Sequence, residues 1–325
     1  MNPSMNPYVF IVGCARSGTT LLARIADAHP ELAITPETSW IAHWFEDRIG
    51  LTREGFVTPE LPEYLRANPA FVKLGISNKE IEQLLSRDGP ISYASFISAL
   101  FDLYGEKRGK RCVGDKTPRF VRFLPTLHGL WPDAKVVHLI RDGRDVCLSA
   151  LEWRRGIVRF STWDDDPVAT IALWWEWHLR LGREAAASLD PDTYMELHYE
   201  SLVADPRSEC EKLCAFLRLP YDEAMLRFHE GRMRARPHRT AKTGWLPVTA
   251  GLRKWTTEMS PDEVDRFEAV AGDLLGELGY PRASSSVSSA RAARAQRLRE
   301  GFIEDLRPAG RALPRAWDAN GAPKP

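Results

Sequence analysis

YVFIVGCARSGTT, residues 8–20, is the stretch whose reading decides the fold. Its first five residues form an unbroken apolar run rich in β-branched and aromatic side chains, the pattern of a parallel strand buried on both faces. Gly13-Cys14-Ala15-Arg16-Ser17-Gly18-Thr19-Thr20 then makes a turn, and residues 19–28 continue with helical spacing. Strand, Gly-x4-Gly turn and helix start together make an anion cradle. Glycines let backbone N–H groups curl around oxygens, and the helix N-terminus adds its dipole. A nucleotide-triphosphate loop would follow the second glycine with Lys, but here that position is Thr19 and the cation is Arg16, three residues earlier. No apolar strand ends in an aspartate placed to hold a metal. The loop reads as phosphate-binding without the lysine that reaches a γ-phosphate.

Working outward, residues 32–35, 111–114, 135–140 and 193–197 read as further short strands. Helical patterns fill residues 142–153, 167–187, 206–217 and 261–278, the last with Ser260 as N-cap and Pro261 in its first turn. Strands alternating with helices predict right-handed βαβ units and an α/β fold with an open parallel sheet. Residues 49–103 carry little strand signal and read as a helical capping insertion, so residues 1–281 form one domain. After residue 281 comes a composition break, Ser-rich and then Arg/Ala-rich, which predicts a flexible basic tail over 282–325.

Composition sets bounds on partners. The 325 residues include 44% hydrophobic and 27% charged positions, enough apolar material for a sizeable core without staples. Basic and acidic residues balance at 44 each, which argues against a nucleic-acid partner. The balance hides an asymmetry: eight Arg and one Lys against four acids after residue 281 give the tail +5 and leave −5 on the body. The five cysteines form no CxxC pair and read as small buried hydrophobes in a reducing compartment. No apolar run approaches the roughly 20 residues of a spanning helix, and no leader pattern opens the chain, so a cytoplasmic protein without a transmembrane segment is expected.

Two more stretches carry chemistry. KVVHLIRDGRDVCLS, residues 135–149, is a strand ending at Arg141 and a helix bearing Ser149 two turns on. Arg141 leaves the strand's carboxyl end, where open α/β sheets bind ligands, and Arg141 and Ser149 are placed to share one anion. Read alone, Arg141, Asp142, Arg144 and Asp145 also fit a solvated charged helix start. GDKTP, residues 114–118, puts Lys116 at another strand end, with Asp115 as a possible ion-pair partner.

FIVGCARSGTTLL (residues 10–22) and the Arg141/Ser149 element resemble the 5′-phosphosulfate and 3′-phosphate motifs of sulfotransferases that use 3′-phosphoadenosine 5′-phosphosulfate (PAPS). The resemblance spans roughly residues 8–281. It implies a three-layer, P-loop-NTPase-like parallel sheet flanked by helices, PAPS as co-substrate, its product PAP, and no metal. It implies nucleotide contacts from residues 13–20, Arg141 and Ser149, with Arg16 and Lys116 meeting charge on the sulfuryl and leaving phosphate. Pro36-Glu37-Thr38 is similar to the Glu-Thr pair of tyrosylprotein sulfotransferases, which makes Glu37 the candidate general base. A helix-start acid is the other meaning of Glu37, and His43 is the fallback base. The HYESL stretch implies that Tyr199 contacts adenine, a buried core tyrosine being the alternative. Arg253-Lys254-Trp255 resembles a Lys-Trp pair near the nucleotide, preceded by a polar loop (Arg239, Thr240, Lys242) placed to close over it. Trp163, Trp174, Trp175 and Trp177 read as a core-facing helix stripe, one or two of them facing an acceptor. The expected activity is in-line sulfuryl transfer to a hydroxyl or amine of a small-molecule, glycan, lipid or peptide acceptor. A nucleotide kinase with a degenerate loop and a non-catalytic nucleotide-binding protein remain as alternatives.

Overall fold

The computed structural model describes residues 8–86, 89–153, 156–230, 248, 254–284 and 286–317. Five strands form one parallel sheet: β1 (Val9–Gly13), β2 (Leu32–Thr35), β3 (Cys112–Lys116), β4 (Lys135–Ile140) and β5 (Tyr194–His198), in the order β2-β3-β1-β4-β5. In β1, Val9 and Ile11 join one core cluster while Phe10 and Val12 join another. Neighbouring side chains point to opposite faces, and both faces are covered, which is why the run is apolar at every position. The chain leaves β1 toward β2, returns to β3, then crosses β1 to reach β4. β1 is therefore the switch point, and ligands of such sheets bind outside its carboxyl end.

Helix α1 (Thr19–Asp27) begins at that end and packs Leu22 and Ile25 beneath the sheet. On the opposite face lie the capping helices Leu61–Ala67, Pro69–Val72, Asn78–Leu85 and Tyr93–Glu106; only isolated bridges at Leu51, Phe56, Val57 and Ser92 interrupt them. The Gly143–Trp153, Pro167–Ala186 and Pro261–Glu277 helices pack a third cluster around Trp175 and Phe267. Ser260 caps the last of these in a capping box with Glu263, which holds two end N–H groups that would otherwise go unpaired.

Two expectations need correction. Trp163 lies in the short turn Ser161–Trp163, apart from the Pro167–Ala186 helix that carries the other three tryptophans. The stretch after residue 281 is no mobile tail through its described part. Ser289–Leu306 is a helix that buries Ala295, Leu298, Phe302, Ile303 and Leu306, and Trp317 is buried after it. Those apolar positions recur at three and four residues, a core-facing stripe masked by its Ser and Arg neighbours. Ser288 supplies the N-cap, accepting from the Arg291 N–H. The arginines reach acids of the body: Arg291 to Asp262, Arg294 to Asp165, Arg299 to Glu176. The charge asymmetry is thus an intramolecular match.

Candidate active site

Gly13 ends β1 with φ 149°, and a Cβ there would come within 2.5 Å of the Leu139 carbonyl oxygen. Gly18, at φ 98°, caps α1 without a side-chain bond, and a Cβ on it would strike the Tyr199 ring at 2.5 Å. Between them Arg16 has φ 76°, a left-handed conformation costly for a residue with a Cβ. A left-handed residue of this kind is a backbone element of anion-binding concavities. Ser17 is fully buried and its hydroxyl has no partner among the described residues, so this loop holds an unused hydrogen-bonding group. Burial raises the Cys14 thiol well above its ordinary range, leaving it a packing residue of the loop.

Arg16 Nε donates to Ser149 Oγ at 3.0 Å, which ties the loop to the Gly143–Trp153 helix. Arg141, at the end of β4, is buried and its guanidinium lies 4.2 Å from the centre of the Tyr199 ring. Its Nη2 reaches Asp145 Oδ2 at 3.4 Å, while Nε is buried with no partner among the described residues. The charged run 141–145 is therefore an interior construction and not a solvated helix start. Arg144 is fully buried, paired at 2.7 Å to both Asp142 and Glu268, and stacked 3.6 Å from the Trp255 ring centre. Asp145 accepts from the Trp255 N–H at 2.9 Å, which brings Lys254 to the Arg141 side of the site. Lys254 itself is exposed. Arg239, Thr240, Lys242 and Arg253 lie outside the described residues.

Lys116, at the carboxyl end of β3, places Nζ 2.5 Å from Glu37 Oε1 and 3.5 Å from Thr20 Oγ1. The lysine side chain is 11% exposed and the Glu37 side chain 53%, so the carboxylate keeps an open side. Asp115, the possible ion-pair partner of Lys116, instead turns to threonines. It accepts from Thr35 Oγ1 at 2.8 Å, Thr38 Oγ1 at 2.6 Å and the Thr38 N–H at 3.2 Å. The Thr38 N–H also reaches Thr117 Oγ1 at 2.9 Å. This buried clasp fixes the Glu37-Thr38 turn against β3 and was missed from the sequence; its only trace there is threonines flanking both acids. Burial pushes the Asp115 carboxyl up to about 6, against the Thr38, Thr117 and Thr35 hydroxyls and the Lys116 charge, which favour ionisation.

Ala15, Arg16, Thr19, Thr20, Glu37 and Lys116 line one cavity of about 1300 Å³. Trp174 and Trp177 line it too, so part of the tryptophan stripe faces the cavity as expected. His43 stands at the same cavity but pairs with Asp47 at 2.9 Å. Tyr199 is buried between Gly18 and Arg141, and burial raises its phenol above the ordinary range. The glycine loop and a carboxylate–lysine pair thus share one cavity, an arrangement suited to group transfer at an anionic donor.

The family model described as "Sulfotransferase family" matches residues 7–223. Among curated relatives, protein-tyrosine sulfotransferase A of Caenorhabditis elegans is 28% identical over 281 residues, covering 85% of this chain and 67% of that protein. Human protein-tyrosine sulfotransferase 1 is 26% identical over 281 residues, covering 84% of this chain and 70% of its own. The sulfotransferase domain from the curacin biosynthetic pathway superposes with TM-score 0.60 over 85% of this chain and 99% of that domain, at 19% identity, a likeness of fold. With a family match over residues 7–223, and the loop and Lys116 set around one switch-point cavity, the chain belongs to the sulfotransferase family.

Proposed function

We propose that the protein transfers a sulfuryl group from PAPS to the hydroxyl of an acceptor, with Glu37 as general base. The observation that carries this is the Glu37–Lys116 pair beside the 13–18 loop in one cavity. The residues present fit the donor. The loop glycines leave backbone room for phosphate oxygens, and the buried Ser17 hydroxyl and Arg141 Nε lack partners among the described residues. When bound, the donor would supply a sulfuryl group activated by a phosphate leaving group. Glu37 takes the acceptor's hydroxyl proton on its open carboxylate side as the oxygen attacks. Lys116 turns its ammonium from Glu37 to the charge that develops on the leaving phosphate oxygen, and Arg16 with the loop N–H groups meets the sulfuryl oxygens. Arg141 and Ser149 hold the 3′-phosphate, and Tyr199 and Lys254 border the nucleotide.

Calorimetric titration with 3′,5′-ADP in EDTA, beside 5′-ADP and ATP with Mg²⁺, tests the donor. Metal-independent binding that needs the 3′-phosphate and is lost in Arg141→Ala is expected. A preference for ATP with Mg²⁺, indifferent to the 3′-phosphate, would overturn the assignment in favour of a kinase.

A further inference from the structure

Beyond Glu37 and Lys116 the same cavity is lined by Arg119, Arg122, Arg159 and Arg311. Arg119 and Arg122 belong to the turn Pro118–Arg122, which leaves β3 just after Lys116. Arg159 precedes the Ser161–Trp163 turn, and Arg311 follows the Arg307–Ala309 turn at the end of the last long helix. None of the four forms an ion pair or a side-chain hydrogen bond among the described residues, and Arg122 Nε is buried without a partner. Arginines of this chain with little exposure, such as Arg144, Arg180 and Arg299, are paired to Glu268, Glu176 and Glu176, and among the described residues the half-buried Arg122 and Arg311 are not.

The four guanidiniums act on one another electrostatically across the cavity. Burial first, then Arg119, Arg311 and Arg159, push Arg122 down to about 9. Burial, then Arg159 and Arg119, lower Arg311; burial, then Arg159, lower Arg119, with Glu37 acting in the opposite sense. Each of the four thus lies within electrostatic range of the others, and all four line the one cavity. Glu37 lies within range of Arg119, which places the cluster near the base. Like charges gathered on one cavity wall, Arg122 and Arg311 half-buried and Arg119 and Arg159 exposed, repel one another, and an anion relieves that repulsion while using the unpaired donors. Below them the Trp177 ring lies 4.5 Å from the Arg122 guanidinium, an apolar surface beside the charge.

We propose that the acceptor is a low-molecular-weight hydroxyl compound bearing its own phosphate, sulfate or carboxylate, and that these four arginines receive that group. Arg311 comes from outside the family-matched region, residues 7–223, so the C-terminal segment sets acceptor specificity. The inference rests on the sulfuryl-transfer assignment above and names the substrate class of that site.

The test titrates protein saturated with 3′,5′-ADP with two matched pairs: glucose 6-phosphate against glucose, and 4-hydroxyphenylacetate against 4-hydroxyphenylacetamide. The charged member of at least one pair is expected to bind at least roughly tenfold tighter, a single charged contact being worth about that much. Which pair responds separates phosphate from carboxylate recognition. In Arg119→Gln/Arg311→Gln that preference is expected to fall away while the affinity for 3′,5′-ADP stays within about twofold; should the double variant not fold, Arg159→Gln serves. Equal binding of charged and neutral members, a preference that survives the substitutions, or a preference seen only with an acidic peptide would overturn the inference. Loss of 3′,5′-ADP binding in the double variant would assign the cluster to the donor and overturn it as well. If wild-type protein fails to bind 3′,5′-ADP at all, the sulfuryl-transfer assignment falls, and the charge preference is then read on nucleotide-free protein.

Discussion

Glu37 stands where an acceptor hydroxyl can reach it, half-exposed on the cavity side and held by Lys116 on the other. Replacing it by Gln keeps the shape and removes the proton acceptor. Glu37→Gln is expected to lower kcat by roughly 10²–10⁴ with 3′,5′-ADP affinity unchanged in calorimetry; an unchanged kcat would move the base elsewhere. Gly18 is a second position where one atom decides. Its φ of 98° and the Tyr199 ring 2.5 Å from any Cβ leave no space for a side chain. Gly18→Ala is expected to cost about 1–3 kcal/mol in urea unfolding and to weaken 3′,5′-ADP binding, because Tyr199 must shift and carries Arg141 with it. Wild-type stability and affinity in that variant would sink this account.

Among elements, β3 is held from within by Asp115. Its folded value of about 6 lies above the unfolded value near 3.9, so the native state binds this proton more tightly. The stability from that proton is fully present below about pH 4 and is lost as pH rises through about 6. Wild type is therefore expected to lose on the order of 2 kcal/mol relative to Asp115→Asn between those limits. Urea titrations across that range check this, and a flat difference curve would refute it. The Gly143–Trp153 helix is held by Arg144 between Asp142 and Glu268. Arg144→Met strands two buried carboxylates and is expected to cost about 3–5 kcal/mol, read as a lowered denaturation midpoint. A loss under about 1 kcal/mol would show that water or rearrangement replaces the arginine.

Over the whole molecule, the segment after residue 281 completes the core and not merely its surface. Phe302 is fully buried and stacks on Phe160 with ring centres 4.1 Å apart. Phe302→Ala is expected to cost about 3–5 kcal/mol; thermal unfolding indistinguishable from wild type would mean the helix is dispensable. The same segment bonds Trp177 Nε1 to the Ala312 carbonyl at 2.9 Å and so carries Arg311 to the cavity. Loosening this segment therefore acts on the acceptor wall before it acts on the nucleotide loop.

β1, the 13–18 loop and α1 were legible from the sequence because each depends on neighbours within about four residues: apolar continuity, glycines where φ turns positive, and helix spacing. Ser260 as an N-cap was legible for the same reason. The roles of Arg141, Lys116 and Glu37 were suggested by motif likeness, while the meeting of Glu37 and Lys116 at one cavity required β2 and β3 to lie side by side in the sheet. Tertiary structure alone decided which acid holds which partner: Asp115 turned to Thr35 and Thr38, leaving Lys116 to Glu37, 79 residues away. It also decided that a Ser- and Arg-rich stretch packs as a helix, since its apolar stripe has value only against Phe160 and Trp177. Long-range pairs of this kind leave no periodic mark in the sequence, because their energy depends on burial and distances that exist only once the sheet has formed.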